Sequence, residues 1–230
     1  MPLIILWDID HTLIDNAGVS KEIYAAAFKA LAGRAPTVAA ATEGRTDRLI
    51  MQDMFLRNSL PMPGWDSVEG ALQAAGAARF EELARRGAVL PGVREALKAA
   101  SERVGWVSSV LTGNIAANAR VKLGAFGLDT LVDLSVGAYG ADAVERPDLV
   151  AVARERVRAQ RCLPGGTPVV LVGDTPRDVE AALVSGSEVI AVSTGVHTSA
   201  ELSAAGAVEV LPDLSDTPGL LARLEAFVSH

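Results

Sequence analysis

Three short apolar runs in this chain are each followed at once by residues able to do chemistry. Asp8, Asp10, His11 and Thr12 follow Leu3 to Trp7; Thr112, Gly113 and Asn114 follow Trp106 to Leu111; Gly173, Asp174, Thr175 and Asp178 follow Val169 to Val172. An Asp-x-Asp pair alone carries little weight, because such pairs are common on loops. Three polar groups in the same relation to three strands carry more, since the carboxyl ends of parallel strands open on one crevice where ligands bind. Carboxylates crowded there repel one another and raise each other's pKa unless a cation neutralises them. All-oxygen donors of this kind suit Mg²⁺, with Asp8 and Asp174 offering side chains and Asp10 its backbone carbonyl. Such a cation also draws in an anionic substrate. Thr112 and the backbone N–H groups at the start of the helix after Gly113 suit the non-bridging oxygens of a phosphate, and Arg146 is the remaining positive charge.

The elements that would position these residues are buried parallel strands alternating with amphipathic helices. Strands are expected at Leu3 to Trp7, Trp106 to Leu111, Val132 to Val136, Val169 to Val172, Val189 to Val192 and Ala207 to Leu211. One helix carries Val93, Ala96, Leu97, Ala100 and Val104 behind a Pro91-Gly92 start signal; another carries Leu149, Val152, Ala153 and Val157. This alternation predicts an α/β fold with a doubly wound parallel sheet. Far more chain separates Trp7 from Trp106 than the dozen or so residues a crossover needs. The excess is rich in Ala, Leu and charged residues at helical spacing, broken near Gly33 to Pro36 and Pro61 to Gly64. Residues 1–15 and 89–230 are therefore expected to form the α/β core, and residues 16–88 a helical domain inserted into it.

Bulk properties narrow the function. The 230 residues are half hydrophobic and the formal net charge is −7, with basic residues scattered, so no positive stripe is present for nucleic acid. No apolar run approaches a membrane span and Met1 to Leu6 leads directly into acidic residues, so the expectation is a soluble cytoplasmic protein with no membrane partner. Cys162, the single cysteine, excludes an intramolecular disulfide and a thiolate metal cluster, and is expected to be a semi-buried thiol at a helix end.

Asp8-Ile9-Asp10-His11-Thr12-Leu13, Leu111-Thr112-Gly113-Asn114, Arg146-Pro147 and Gly173-Asp174-Thr175-Pro176-Arg177-Asp178 resemble, in order and strand context, the four motifs of the haloacid dehalogenase superfamily. The inserted segment is similar to that family's cap. The resemblance implies a phosphatase in which Asp8 attacks phosphorus and becomes an aspartyl-phosphate. It implies that Asp10 protonates the leaving oxygen and then deprotonates the attacking water. Dehalogenase branches lack a carboxylate at the position of Asp10, so the resemblance favours phosphate over halide. Mg²⁺ is the implied cofactor, with Asp8, Asp10, Asp174 and Asp178 as its ligands, and Thr112, Gly113, Asn114 and Arg146 hold the phosphate of a small phosphorylated metabolite. Phosphoglycolate and small sugar phosphates are the candidates by resemblance.

Two positions depart from the family: His11 stands where Gly is usual, and Arg146 where Lys is most frequent. Arg neutralises phosphate at least as well, through a bidentate fork. Lys122 is a rival for the Arg146 role, ranked lower because it falls in mid-helix. His11 is expected to line the substrate site. Thr175-Pro176-Arg177-Asp178 also reads as a helix start, so Asp178 either closes a capping box or supports the metal. In Glu43-Gly44-Arg45-Thr46-Asp47, Arg45 is a candidate contact for an anionic group of the substrate; the plainer expectation is that Thr46 caps a helix while Arg45 and Asp47 are solvated. Trp65 and Phe80 are expected in the core of the insert, and His197 and His230 at the surface.

The alternatives are a phosphomutase of the same family, a phosphonate hydrolase and a non-catalytic binding module. The phosphonate hydrolase would need a cap lysine, for which Lys21 and Lys29 have no supporting context. The binding module is disfavoured by intact acidic and hydroxyl groups in all four motifs.

Overall fold

The computed structural model describes residues 1–228; the expectation for His230 lies outside them. In chain order the elements are β1 (Leu3–Trp7), β2 (Ile14–Asp15), α1 (Val19–Ala32), α2 (Asp47–Arg57), α3 (Trp65–Ala77), α4 (Phe80–Arg86), β3 (Ala88–Val89), α5 (Val93–Ser101), β4 (Trp106–Val110), α6 (Ala116–Gly124), α7 (Arg146–Arg161), β5 (Val169–Gly173), α8 (Pro176–Val184), β6 (Glu188–Val192), α9 (Ser199–Ala204), β7 (Glu209–Leu211) and α10 (Thr217–Ala226). Five strands form a parallel sheet in the order β4-β1-β5-β6-β7.

The continuous apolar runs follow from burial on both faces of this sheet. Successive residues of a strand point to opposite faces, so Leu3, Ile5 and Trp7 join one hydrophobic cluster with Val93, Leu97 and Leu220. Ile4 and Leu6 join another with Leu149, Val157, Val179 and Leu202. A third cluster is made by the helices between β2 and β3: Phe28, Met51, Phe55 and Leu72 pack there, joined by Ile115, which directly precedes α6.

Val132 to Val136 is not a strand. Asp133 turns its carboxylate onto the N–H and hydroxyl of Ser135, a local bond that competes with ladder pairing. The segment meets β4 at Asp133, whose N–H donates to the Ser108 carbonyl at 2.8 Å and whose carbonyl accepts from the Ser109 hydroxyl at 2.6 Å, and Ala138 beyond it forms an isolated bridge with Leu111. The two-residue strands β2 and β3, which no periodicity could reveal, pair antiparallel and join the chain's departure into the helical segment to its return. Cys162 is exposed rather than semi-buried, at the left-handed C-cap of α7. Phe80 is 38% exposed and only Trp65 of the two expected core aromatics packs on the third cluster, with the Arg48 guanidinium 4.2 Å above its ring. His197 is half-buried. Among the described residues no helix is long and apolar enough to cross a membrane.

Candidate active site

Register places the site. Trp7 of β1 pairs with Val110 of β4 on one side and Val172 of β5 on the other. The residues beyond these, Asp8, Thr112 and Asp174, therefore leave the sheet side by side at its carboxyl edge. They line one cavity of about 240 Å³ together with Asp10, His11, Gly113, Asn114, Arg146 and, from the helical segment, Tyr24 and Arg45.

Oxygens of Asp8, Asp174 and Asp178 lie within 4.8 Å of one another, and all three residues are buried. Burial, with Asp178 and Asp10 nearby, pushes the Asp8 carboxyl up to about 6 although Arg146 pulls it down. Burial and the charges of Asp178 and Asp8 push Asp174 well above the ordinary carboxylate range. Three buried carboxylates this close together are a donor set fitted to a hard divalent cation. The Thr12 hydroxyl donates to Asp174 Oδ1 at 3.2 Å and fixes that side chain. Gly195 backs onto Asp174 so closely that a Cβ there would overlap its Oδ2.

Of the two roles expected of Asp178, the capping box is formed. Its Oδ2 accepts from the Thr175 N–H at 3.0 Å and hydroxyl at 2.7 Å, closing the capping box of α8. Its Oδ1 meets Arg146 at 2.5 Å. Arg146 opens α7, and the same guanidinium reaches Asp8 Oδ1 at 2.9 Å while remaining 5% exposed. Its carboxylate neighbours raise its pKa further, so it is a fixed cation.

Lys122 is the residue that sequence reasoning undervalued. Its ammonium donates to both oxygens of Asp10, at 2.8 and 2.6 Å, and to Asn114 Oδ1 at 2.6 Å, and the residue is 2% exposed. A signal existed: Asn118 and Lys122 are spaced by four on α6, beside Ala119 and Leu123 on its inward face, and Asn114 precedes the helix by the same interval. Asp10 also accepts from Asn16, Ser20 and Asn114. Burial alone would raise its pKa, but Lys122, Asn114 and Asn16 outweigh that and hold the carboxyl at about 2. Asp10 is thus an ionised acceptor here.

His11 adopts φ 60°, the left-handed region where Gly costs nothing and a residue with a Cβ is strained. Its carbonyl accepts from the Thr194 hydroxyl at 2.5 Å. Thr112 Oγ1 accepts from the Asn114 side chain at 2.7 Å and faces its N–H at 3.3 Å. The amides at the start of α6 are not all free, because the Ile115 N–H donates to Asp47 Oδ2 at 2.7 Å.

The loop from Glu43 to Asp47 departs from its plainer expectation. Thr46 does cap α2, accepting from the Leu49 N–H, but Asp47 is fully buried. Arg45 lines the cavity while its guanidinium lies 3.4 Å from Asp53, so its charge is already matched inside the helical segment.

Residues 5–183 match the family model described as haloacid dehalogenase-like hydrolase. A probable phosphatase, IndB, of Dickeya dadantii is 32% identical over 134 residues, which cover 58% of this chain and 56% of that protein. The chain thus aligns with little more than half the length of the curated relative it matches. Among solved structures, a hydrolase from Pseudomonas syringae superposes with a TM-score of 0.69 at 20% identity, covering 97% of this chain and 99% of the other. A putative β-phosphoglucomutase from Bacteroides vulgatus does so with a TM-score of 0.67 at 19% identity, covering 100% and 91%. At such identities the likeness is one of fold.

Proposed function

The chain belongs to the haloacid dehalogenase-like hydrolase family, and from that premise we propose that it is a Mg²⁺-dependent phosphatase that hydrolyses a small phosphate monoester through an aspartyl-phosphate on Asp8. The observation that carries the reading is that two carboxylates in one cavity have separate cationic partners, Arg146 on Asp8 and Lys122 on Asp10. A lone nucleophile would need only the first. A second acid, held in place two residues on, suits proton transfer at a leaving oxygen, which a departing halide does not require.

In this reading residues 1–15 and 89–230 are the catalytic core and residues 16–88 the cap. The substrate phosphate sits between Thr112, Gly113, Asn114 and Arg146. Asp8 forms a bond to phosphorus as the bond to the leaving oxygen breaks, and Arg146 balances the charge on the transferring group. Asp10 gives a proton to the leaving oxygen, then takes one from the water that attacks phosphorus and frees Asp8. Its ionised state suits the second half directly; the first half requires that a proton reach it when a phosphate dianion enters and competes for Lys122. Asp8 and Asp174 would hold the cation, with the Asp10 carbonyl, while Asp178 steadies Arg146 and Thr175 beside them. When bound, the cation supplies charge neutralisation for the nucleophile and the phosphoryl oxygens.

The phosphomutase alternative would require a sugar bisphosphate to turn over within this cavity, and supplying one and analysing for isomerised product against free phosphate separates the two readings. The test is release of inorganic phosphate from an aryl phosphate with Mg²⁺ and its loss on chelation. Activity that survives chelation would overturn the metal requirement, and no release from a broad panel of phosphate monoesters would overturn the reading.

A further inference from the structure

We propose that Asp47, a residue of the helical segment, is a positioning residue for the phosphate-binding turn Thr112–Ile115, so that the turn is fully restrained only while that segment is docked on the sheet edge. The inference rests on the reading of this turn as the phosphate site.

Asp47 is the first residue of α2, a place where an acidic side chain is ordinarily solvated. Here it is fully buried, and each of its polar groups is committed. Its Oδ2 accepts from the Ile115 N–H at 2.7 Å, its Oδ1 from the Tyr24 hydroxyl at 2.6 Å, and its own N–H donates to the Gly113 carbonyl at 2.7 Å. One residue thus grips both sides of Asn114: the carbonyl before it and the amide after it. The N-terminal ends of α2 and α6 meet at the same carboxylate, and two helix dipoles favour a negative charge there. By taking the Ile115 N–H, Asp47 also removes that amide from the donors a phosphate would meet.

The close approach is a property of the backbone and not of a flexible contact. A Cβ on Gly113 would overlap the Arg45 carbonyl oxygen, and one on Gly140 would overlap that of Gly113 and crowd the Asp47 N–H. Gly140 completes the cradle from the core side, its N–H donating to the Asn114 carbonyl at 2.8 Å. Further bonds seat the same loop: the Thr46 hydroxyl donates to the Val144 carbonyl at 2.6 Å and Arg48 Nε to that of Ala141 at 2.9 Å. Among these only Asp47 touches the turn through a side chain, so it alone can be tested by substitution without altering the core.

The experiment compares Asp47→Ala, Asp47→Ser and Asp47→Asn with the wild-type chain. It reads KM and kcat on an aryl phosphate, and the affinity for inorganic phosphate in the presence of Mg²⁺ by calorimetry, which needs no turnover. Asn retains an acceptor for Ile115 and can donate to the Tyr24 oxygen, so its phosphate affinity should stay within about threefold of wild type. Ala leaves a buried amide unpaired and should weaken phosphate binding and raise KM by about tenfold or more, with a smaller change in kcat. Should the alanine variant not fold, Asp47→Ser, whose hydroxyl is too short to span to Ile115, is read in its place. Equal phosphate affinity in wild type and the Ala or Ser variant, with only thermal stability lowered, would overturn the inference, as would an Asn variant as impaired as Ala. A wild-type chain that releases phosphate from no ester but binds it with an affinity that falls in the Asp47→Ala variant would sink the phosphatase reading alone; one that binds no phosphate overturns both.

Discussion

The buried ammonium of Lys122 and the partly buried Asp10 form an ion pair in which that ammonium contacts both carboxylate oxygens, at 2.8 and 2.6 Å. The pair joins the inward face of α6 to the turn after β1, and it sets the charge of the acid that would serve the leaving group. Replacing Lys122 by Met should let burial dominate at Asp10 and raise its pKa from about 2. The alkaline limb of the kcat/KM profile, where the acid that serves the leaving oxygen loses its proton, should then move to higher pH, whereas Lys122→Arg should leave it nearer the wild-type position. A profile unchanged in Lys122→Met would separate Lys122 from the chemistry.

Asp8→Asn keeps the shape of the nucleophile and removes its ability to attack. Phosphate release should fall by at least about a thousandfold. The variant should still bind inorganic phosphate, because Thr112, Asn114 and Arg146 are untouched; an Asp8→Asn enzyme with full turnover would refute the aspartyl-phosphate route.

Asp8 is raised to about 6 and Asp174 well above its usual value in the folded chain. Unfolded, both lose their protons near 3.8. Metal-free protein should therefore be favoured by these two groups below that pH, losing the Asp8 contribution as pH rises through about 6 and the Asp174 contribution as pH rises through its own raised pKa. Mg²⁺ binds the ionised forms, so the Tm gain it gives should be larger at about pH 7.5 than at about pH 5. Thermal melts at the two pH values, with and without Mg²⁺, check this; a gain independent of pH would exclude Asp8 and Asp174 as the ligands.

Gly195→Ala places a methyl group where Asp174 Oδ2 now lies. The carboxylate must shift, and the Mg²⁺ concentration for half-maximal activity should rise by about 10–100-fold. Titration of activity against Mg²⁺ measures the effect directly, and an unchanged midpoint would show that Asp174 does not bind the metal.

His11→Gly removes a Cβ from a left-handed position at φ 60°. Relief of that strain is worth about 1 kcal/mol, partly offset by the greater freedom of Gly in the unfolded chain. A modest rise in Tm is expected, together with altered preference across a panel of phosphorylated metabolites because the imidazole lines the cavity. A lower Tm would mean that His11 makes compensating contacts.

Much of this arrangement was legible in the chain alone, for a physical reason. Strands buried on both faces read as uninterrupted apolar runs, so Leu3 to Trp7, Val169 to Val172 and Val189 to Val192 stood out, and the polar residues after the first two marked the sheet edge. Val132 to Val136 alternates apolar with polar residues and is not a strand, because Asp133 bonds locally to Ser135. Lys122 and Asp47 were misjudged for a common reason: a charged residue on a helix is normally solvated, and only tertiary packing shows that each is enclosed with a partner from a distant segment. The short strands β2 and β3 were beyond sequence reading, since two residues carry no period.

That small ribbon has a consequence for how such a protein can change. Ile14 faces Val89 and Asp15 faces Ala88, so the chain enters and leaves the helical segment through adjacent, hydrogen-bonded strands. Whatever is strung between them begins and ends at one place. The helices between them can therefore vary in length without shifting the register of β1 against β4 and β5, provided that the α2 residue gripping the turn after β4 is kept, so the strand ends that carry Asp8, Thr112 and Asp174 hold their alignment while the rest of the segment is rewritten.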